Sequence, residues 1–150
     1  MIHVSRRCLL PLLFGLSLAQ AAQAGEQKLK VDDMQLFYGI VPAESANKQA
    51  GMDKSHAHGR WWMNKHLRHL VVALFDARGE QRVPDATIDV VVTPLGMAAE
   101  SRRLDPLHVN GTLSYCNFFE FMPGSGPYRV VLSIARPNRP MSKVAFDYRP

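Results

Sequence analysis

Short apolar runs separated by turn signals make up most of the chain after residue 33. The segment ATIDVVVT at 86–93 alternates apolar and polar positions, and this period of two predicts a strand with one buried face. The segment LRHLVVALFD at 67–76 is apolar at nearly every position after His69, which is typical of a central strand buried on both faces. No segment keeps a helical period for long, apart from one predicted helical turn near 43–49. Strands are predicted at 34–41, 67–76, 86–93, 101–109, 112–122, 128–135 and 143–148.

The spacing of these strands predicts an all-β fold. Seven or so short strands, about ten residues apart, are typical of an immunoglobulin-like antiparallel β-sandwich, with a small barrel as the alternative. In the segment GPY at 126–128, a tyrosine follows a tight turn at the start of a late strand, where immunoglobulin-like sandwiches place a corner tyrosine. An aromatic residue that simply packs on a strand gives the same pattern, so both interpretations of Tyr128 stay open.

The first 24 residues have the features of a secretory signal peptide. Arg6 and Arg7 form a basic start, an apolar stretch follows at 9–18, and AQA at 22–24 fits a cleavage site. We therefore expect removal of 1–24 and a single soluble domain, 25–150, in the periplasm. No later apolar run reaches the roughly 20 residues of a membrane-spanning helix. The arginine pair fits a twin-arginine export signal as well as an ordinary secretory signal.

Composition narrows the function classes. The formal net charge is +5, and loss of Arg6 and Arg7 would leave +3. The other Lys and Arg residues are scattered, without the dense clusters of a nucleic-acid surface, so no nucleic-acid partner is expected. Of the two cysteines, only Cys116 would remain after cleavage, which excludes a disulfide within the chain. Such a thiol is buried, bridges two chains or serves as a soft metal ligand.

The sequence favours a protein without catalytic activity. It contains no nucleophile elbow, no phosphate-binding P-loop and no dinucleotide-binding glycine pattern. Cys116 lies in the apolar and aromatic segment YCNFFEF, which is typical of an inert core cysteine. The carboxylates are spread over turns and strands with no pairing that spacing can reveal.

The strongest chemical signal is the segment SHAHGRWWMNKHLRH at 55–69, which holds four of the six histidines. Most of it belongs to a predicted His- and Trp-rich loop, 43–66, before the central strand. His56 and His58 lie on one side of an extended backbone, a workable arrangement for two imidazole ligands. His66 and His69 lie on opposite faces of a regular strand, so they can act together only if His66 precedes the strand. The predicted metal ligands are His56, His58, Met63, His66 and His69.

These residue types suit a transition metal. Imidazole binds copper(II), zinc, nickel and iron, and the thioether of Met63 would shift the preference to copper(I). The structural interpretation has equal weight, because a surface loop can contain histidines by chance and a strand-entry histidine is often a satisfied core residue. Trp61 and Trp62 either cover one end of the sandwich or dock on a partner. His108, on a predicted edge strand, can reach the loop only across the fold.

Several segments resemble a known group of proteins. The run HLVVALFDA at 69–77, then Gly79, Asp85-Ala86 and GPYRVV at 126–131, resembles bacterial periplasmic immunoglobulin-like domains of the YtkA/FixH-like and copper-resistance type. It is also similar to small exported proteobacterial proteins with a His-rich segment before a VALFDA-like strand. The resemblance implies the fold and a periplasmic address, with metal handling in some branches. Copper-resistance proteins of this shape commonly use a histidine at the mature N-terminus, which GEQ at 25–27 lacks.

Together these patterns predict an exported β-sandwich that binds a transition metal through its His-rich loop. The expected ion is copper, with zinc or iron as alternatives, and the expected partner is an envelope protein that donates or receives it. The alternative is a non-catalytic accessory subunit of an envelope complex, docked through Trp61 and Trp62.

Overall fold

The computed structural model describes residues 27–50, 64–109 and 111–150, with the side chains of 47–50 and 109 excepted. In these ranges the chain forms nine strands and one helix, α1 (Ala43–Ala50). The strands are β1 (Gln27–Val31), β2 (Met34–Pro42), β3 (Leu67–Asp76), β4 (Thr87–Pro94), β5 (Glu100–Arg103), β6 (Asp105–Val109), β7 (Thr112–Glu120), β8 (Tyr128–Ala135) and β9 (Ser142–Tyr148). The predicted signal peptide lies outside the described residues.

The strands form two antiparallel sheets. One has five strands in the order β1-β2-β3-β7-β6, and the other has four in the order β5-β4-β8-β9. Every neighbouring pair of strands is antiparallel. The predicted immunoglobulin-like β-sandwich is therefore confirmed.

Two more strands are present than the sequence pattern predicted. The polar segment QKLKV forms β1, which pairs with β2 at the edge of the five-stranded sheet. The predicted strand 101–109 is divided at the buried Leu104, whose N–H donates a 2.9 Å hydrogen bond to the carbonyl oxygen of Ile88. As a result, β5 pairs with β4 in one sheet and β6 pairs with β7 in the other.

Alternate residues of the strands build a single core between the sheets. On β3 the core side chains are Leu70, Val72 and Leu74, whereas Val71 and Ala73 on the other face are half-buried. The sequence predicted burial on both faces of this strand, whereas the outer face is only half-buried at Val71 and Ala73. The largest fully buried side chains are Met34, Leu36, Leu70, Val72, Leu74, Ile88, Val90, Val92, Phe119, Phe121, Leu132 and Ile134.

Helix α1 takes up the first part of the predicted loop 43–66. It follows Pro42 directly, and its Ala43 and Ala46 are buried. Glu44 lies in the first turn, where a carboxylate is favoured by the helix dipole. The single helical turn expected near 43–49 is therefore longer than predicted, and the helix contacts β2 and β3.

Tyr128 has the contacts of a corner tyrosine. It is buried, and its hydroxyl accepts a 2.7 Å hydrogen bond from the N–H of Met122, six residues upstream. Its ring packs edge-on against Phe121 at 4.9 Å. Tyr148, the residue paired with it on β9, packs edge-on against the same Phe121 at 4.8 Å. Both interpretations of Tyr128 therefore apply: it closes the β7–β8 turn and it packs in the core.

The two tyrosines provide a matched test of the corner hydrogen bond. Tyr128→Phe should lower the free energy of unfolding by about 1 kcal/mol, because it removes a hydrogen bond and keeps the ring. Tyr148→Phe should change it by less than about 0.5 kcal/mol, because the Tyr148 hydroxyl has no hydrogen-bond partner within 27–50, 64–109 and 111–150. Urea unfolding of both variants measures the difference, and equal losses would contradict a specific role for the Tyr128 hydroxyl.

Candidate metal centre

The outer face of the five-stranded sheet carries the candidate site. We use this name for the face that points away from the four-stranded sheet. Strand register places Val41, His69 and Phe118 side by side in one row across β2, β3 and β7. The next row contains Gly39, Val71, Cys116 and Asp105, from β2, β3, β7 and β6.

Of the predicted ligands, His66 and His69 lie within the described residues, while His56, His58 and Met63 lie outside them, as do Trp61 and Trp62. His66 belongs to the turn before β3. Its N–H donates to Oδ1 of Asn64 at 2.9 Å, and its carbonyl oxygen accepts from the N–H of Phe121 at 3.0 Å. His66 therefore precedes the strand, which is the condition under which it can act together with His69.

His69 is a buried imidazole on the outer face. It is only 3% exposed, and its Nε2 has no hydrogen-bond partner among the described residues. Its ring centroid lies 4.6 Å from that of Phe118. Burial lowers the pKa of His69 to about 4, so the imidazole is neutral near pH 7 and keeps a lone pair. The alternative, a satisfied core histidine, would lie between the sheets with partners for its nitrogens; His69 lies on the outer face, and its Nε2 has no partner in the described ranges.

Cys116 lies on the same face as His69, one row away. It is 7% exposed and pairs with Val71 on β3 and with Asp105 on β6. Burial and then the negative charge of Asp105 raise the pKa of the Cys116 thiol to about 11, so the free thiol is protonated near pH 7. The sequence indicated an inert core cysteine; Cys116 is buried, but on the outer face of the sheet, and the sequence could not show that His69 is its neighbour.

The row that contains Cys116 has open space at its β2 end. The residue across from Val71 on β2 is Gly39, and a Cβ atom built there meets no atom of the described residues within 4 Å. Any other residue at this position would place a side chain beside Val71 on the outer face. The glycine therefore leaves room on the outer face beside Val71 and diagonal to His69.

Few other metal-ligating side chains lie near this face among the described residues. His108 is exposed on β6 and pairs with Leu113, so it lies on the core side of the sheet and does not reach the outer face. Across the described ranges, no group of three or more His, Cys, Asp or Glu residues is placed to hold a metal ion. Within the described ranges, the outer face offers two donor side chains close to each other in the strand register, His69 and Cys116.

One end of the sandwich exposes an apolar tip, formed by Leu95, Met97 and Met122. Their exposed fractions are 72%, 62% and 44%. A Cβ atom at Gly126 would lie 3.3 Å from Cβ of Leu95, which brings the β4–β5 and β7–β8 turns together. Phe121, the residue before Met122, donates a hydrogen bond to the carbonyl oxygen of His66. The apolar tip and the start of β3 therefore lie at the same end of the sandwich. No helix in the described part of the chain is long and apolar enough to cross a membrane.

No protein-family model and no curated protein matches this chain. Solved structures share its fold. A DUF4426 family protein from Pseudomonas aeruginosa PAO1 is 13% identical, with a TM-score of 0.59, over 84% of this chain and 94% of that one. A copper-bound variant of FetP from uropathogenic Escherichia coli strain F11 is 13% identical, with a TM-score of 0.63, over 82% and 93%.

The copper-reconstituted P19 protein from Campylobacter jejuni is also similar, at 12% identity and a TM-score of 0.60, over 83% of this chain and 96% of that one. Likeness at this level of identity establishes the fold alone. It is consistent with the copper-resistance type of sandwich expected from the sequence, while the YtkA/FixH-like part of that resemblance stays a prediction. The chain thus has a β-sandwich fold that it shares with P19, FetP and a DUF4426 protein.

Proposed function

We propose that this protein binds copper in the periplasm and passes it to or from another envelope protein. The observation that carries the proposal is His69, a neutral and buried imidazole whose Nε2 has no hydrogen-bond partner among the described residues. Buried polar atoms are nearly always satisfied, so an exception of this kind suggests a ligand. Neutral imidazole is the form that coordinates a metal ion.

The place of His69 in the chain supports the same function. It lies two residues inside β3, directly after the segment with His56, His58 and Met63. His66 lies in the turn between that segment and the strand. A rigid strand therefore holds one nitrogen donor at the end of a segment that is rich in further donors. We propose that some of these histidines complete the coordination.

The fold neighbours support copper over zinc or iron. Structures of FetP and P19 with this fold contain copper. Nitrogen donors favour copper(II) among the divalent ions, and sulfur donors favour copper(I). A site with few rigid ligands leaves a coordination position for a receiving protein, so the ion can leave by ligand exchange.

The apolar tip favours a second candidate function, the accessory subunit that docks on an envelope complex. Leu95 and Met97 are largely exposed beside Met122, and exposed apolar clusters mark interaction surfaces. In the sequence, the predicted docking residues Trp61 and Trp62 come shortly before the His66 turn. That turn lies at the same end of the sandwich as the apolar tip. Under this function, Leu95→Ser with Met97→Ser should weaken docking and leave copper binding unchanged.

Calorimetric titration with copper tests the proposed function. Tag-free protein expressed from the sequence 1–150 is titrated with copper(II), with zinc and, under reducing conditions, with copper(I). We expect stoichiometric copper binding at sub-micromolar affinity, and loss of at least about 1.4 kcal/mol, a tenfold change, in a His56→Ala/His58→Ala variant. His108→Ala is the matched control, because His108 is exposed on the other face of the sheet. The proposal would be overturned if binding is weak, is similar for copper and zinc, and has the same affinity in the parent protein and both variants.

The pH dependence of stability tests the state of His69. The folded pKa of about 4 lies below the ordinary value of 6.5, so the unfolded chain binds more protons between these values. Stability should therefore fall as the pH drops below 6.5, by about 2 kcal/mol between pH 7 and pH 5. Urea unfolding of the metal-free parent protein and of His69→Phe measures the contribution of His69 to this pH dependence. The variant lacks the imidazole and keeps every other titratable group. A stability difference between the two proteins that is the same at both pH values would show that His69 is not held neutral.

A further inference from the structure

We propose that Nε2 of His69 and Sγ of Cys116 together bind one copper(I) ion on the outer face of the five-stranded sheet. This inference rests on the proposed function and adds a second ligand from the sheet and the oxidation state of the ion. The second ligand, Cys116, does not belong to the His-rich segment, which contains no cysteine.

Strand register brings the two residues together. His69 pairs with Phe118, and Val71 pairs with Cys116, so His69 and Cys116 are diagonal neighbours on β3 and β7. Diagonal neighbours on one face of an antiparallel pair lie about 7–8 Å apart between Cα atoms, within reach of aromatic and long side chains. An ion between them would bond to the thiol sulfur on one side and to the imidazole nitrogen on the other.

Burial of both donors separates this pair from an ordinary surface contact. His69 is 3% exposed and Cys116 is 7% exposed. Nε2 of His69 finds no hydrogen-bond partner in the described part of the chain, which is unfavourable for a buried nitrogen unless a ligand satisfies it. A bound ion would satisfy it. The space at Gly39 lies on the same face, diagonal to His69 across β2 and β3.

Charge balance selects copper(I). When the ion binds, the S–H bond of Cys116 breaks, an S–Cu bond forms and the proton passes to solvent. Copper remains in the +1 state, and no electron is transferred. The thiolate, the neutral imidazole and the monovalent ion then sum to zero charge, whereas a divalent ion would leave one uncompensated positive charge in a buried place. Thiolate is also the donor that selects copper(I).

Copper(I) titration with a proton count tests the inference. All samples carry Cys8→Ala, so that Cys116 is the one cysteine left. Copper(I) is offered without oxygen against a chromophoric chelator in a weakly buffered solution with a pH indicator. We expect one ion per chain and release of one proton per ion near pH 7. A thioether such as that of Met63 or a neutral imidazole would release none.

Two variants and a matched control identify the ligands. Cys116→Ala and His69→Leu should each weaken copper(I) binding by at least about a hundredfold, since each leaves a single donor from the sheet. Ser114→Ala should keep the affinity of the parent protein. Ser114 is buried on the same strand and face, two residues before Cys116, so this control reproduces a small buried change without loss of a donor. Thermal unfolding of the metal-free proteins shows which variants are folded.

X-ray absorption of the copper-loaded parent protein identifies the atoms bonded to copper, even if a variant fails to fold. It should show one sulfur and at least one nitrogen bonded to copper. No proton release, no sulfur at the metal, or undiminished copper(I) affinity in a folded Cys116→Ala variant would overturn the inference. If copper(II) still binds in any of these cases, the proposed function stands and only the Cys116 pairing is wrong. If the parent protein binds neither copper ion, both are wrong.

Discussion

The register of β3 is the constraint on which the rest of the structure depends. Leu70, Val72 and Leu74 are fully buried between the sheets, and a shift of one residue would turn them outward and place His69 in the core. Such a shift would expose three large apolar side chains, at about 2 kcal/mol or more for each. The apolar core therefore decides, without any chemistry of its own, that His69 lies on the outer face. The same register against β7 decides that Cys116 is its diagonal neighbour.

Much of the fold could be predicted because its signals are local. The bounds of β3 agree with the predicted strand 67–76, since apolar periodicity and the following turn are both visible in the sequence. β1 was missed because QKLKV contains only two apolar residues, Leu29 and Val31, and an alternation this short is a weak signal. The division of 101–109 at Leu104 was missed for a different reason. Which sheet each half joins depends on pairing with β4 and β7, and that information is distant in sequence.

The candidate site shows the same division between local and distant information. The spacing of His66 and His69 led to a condition, that His66 must precede the strand, and the turn bonded to Asn64 meets it. The approach of Cys116 to His69 has no local signal, because 47 positions separate the two residues and only the pairing of β3 with β7 joins them. The unpartnered Nε2 is likewise invisible in a sequence, since satisfaction of a buried atom is a property of all its neighbours.

The separation of the two faces of β3 explains how the fold tolerates such a residue. An unsatisfied buried nitrogen costs about 1–3 kcal/mol, a substantial part of the net stability of a small domain. Because the core side chains Leu70 and Val72 point the other way, a change at His69 does not open a cavity between the sheets. A donor on the outer face can therefore be kept unsatisfied until a ligand arrives, and the rigid strand holds it in place meanwhile. Under the proposed function, copper binding would recover this free energy, so addition of copper should stabilise the five-stranded sheet.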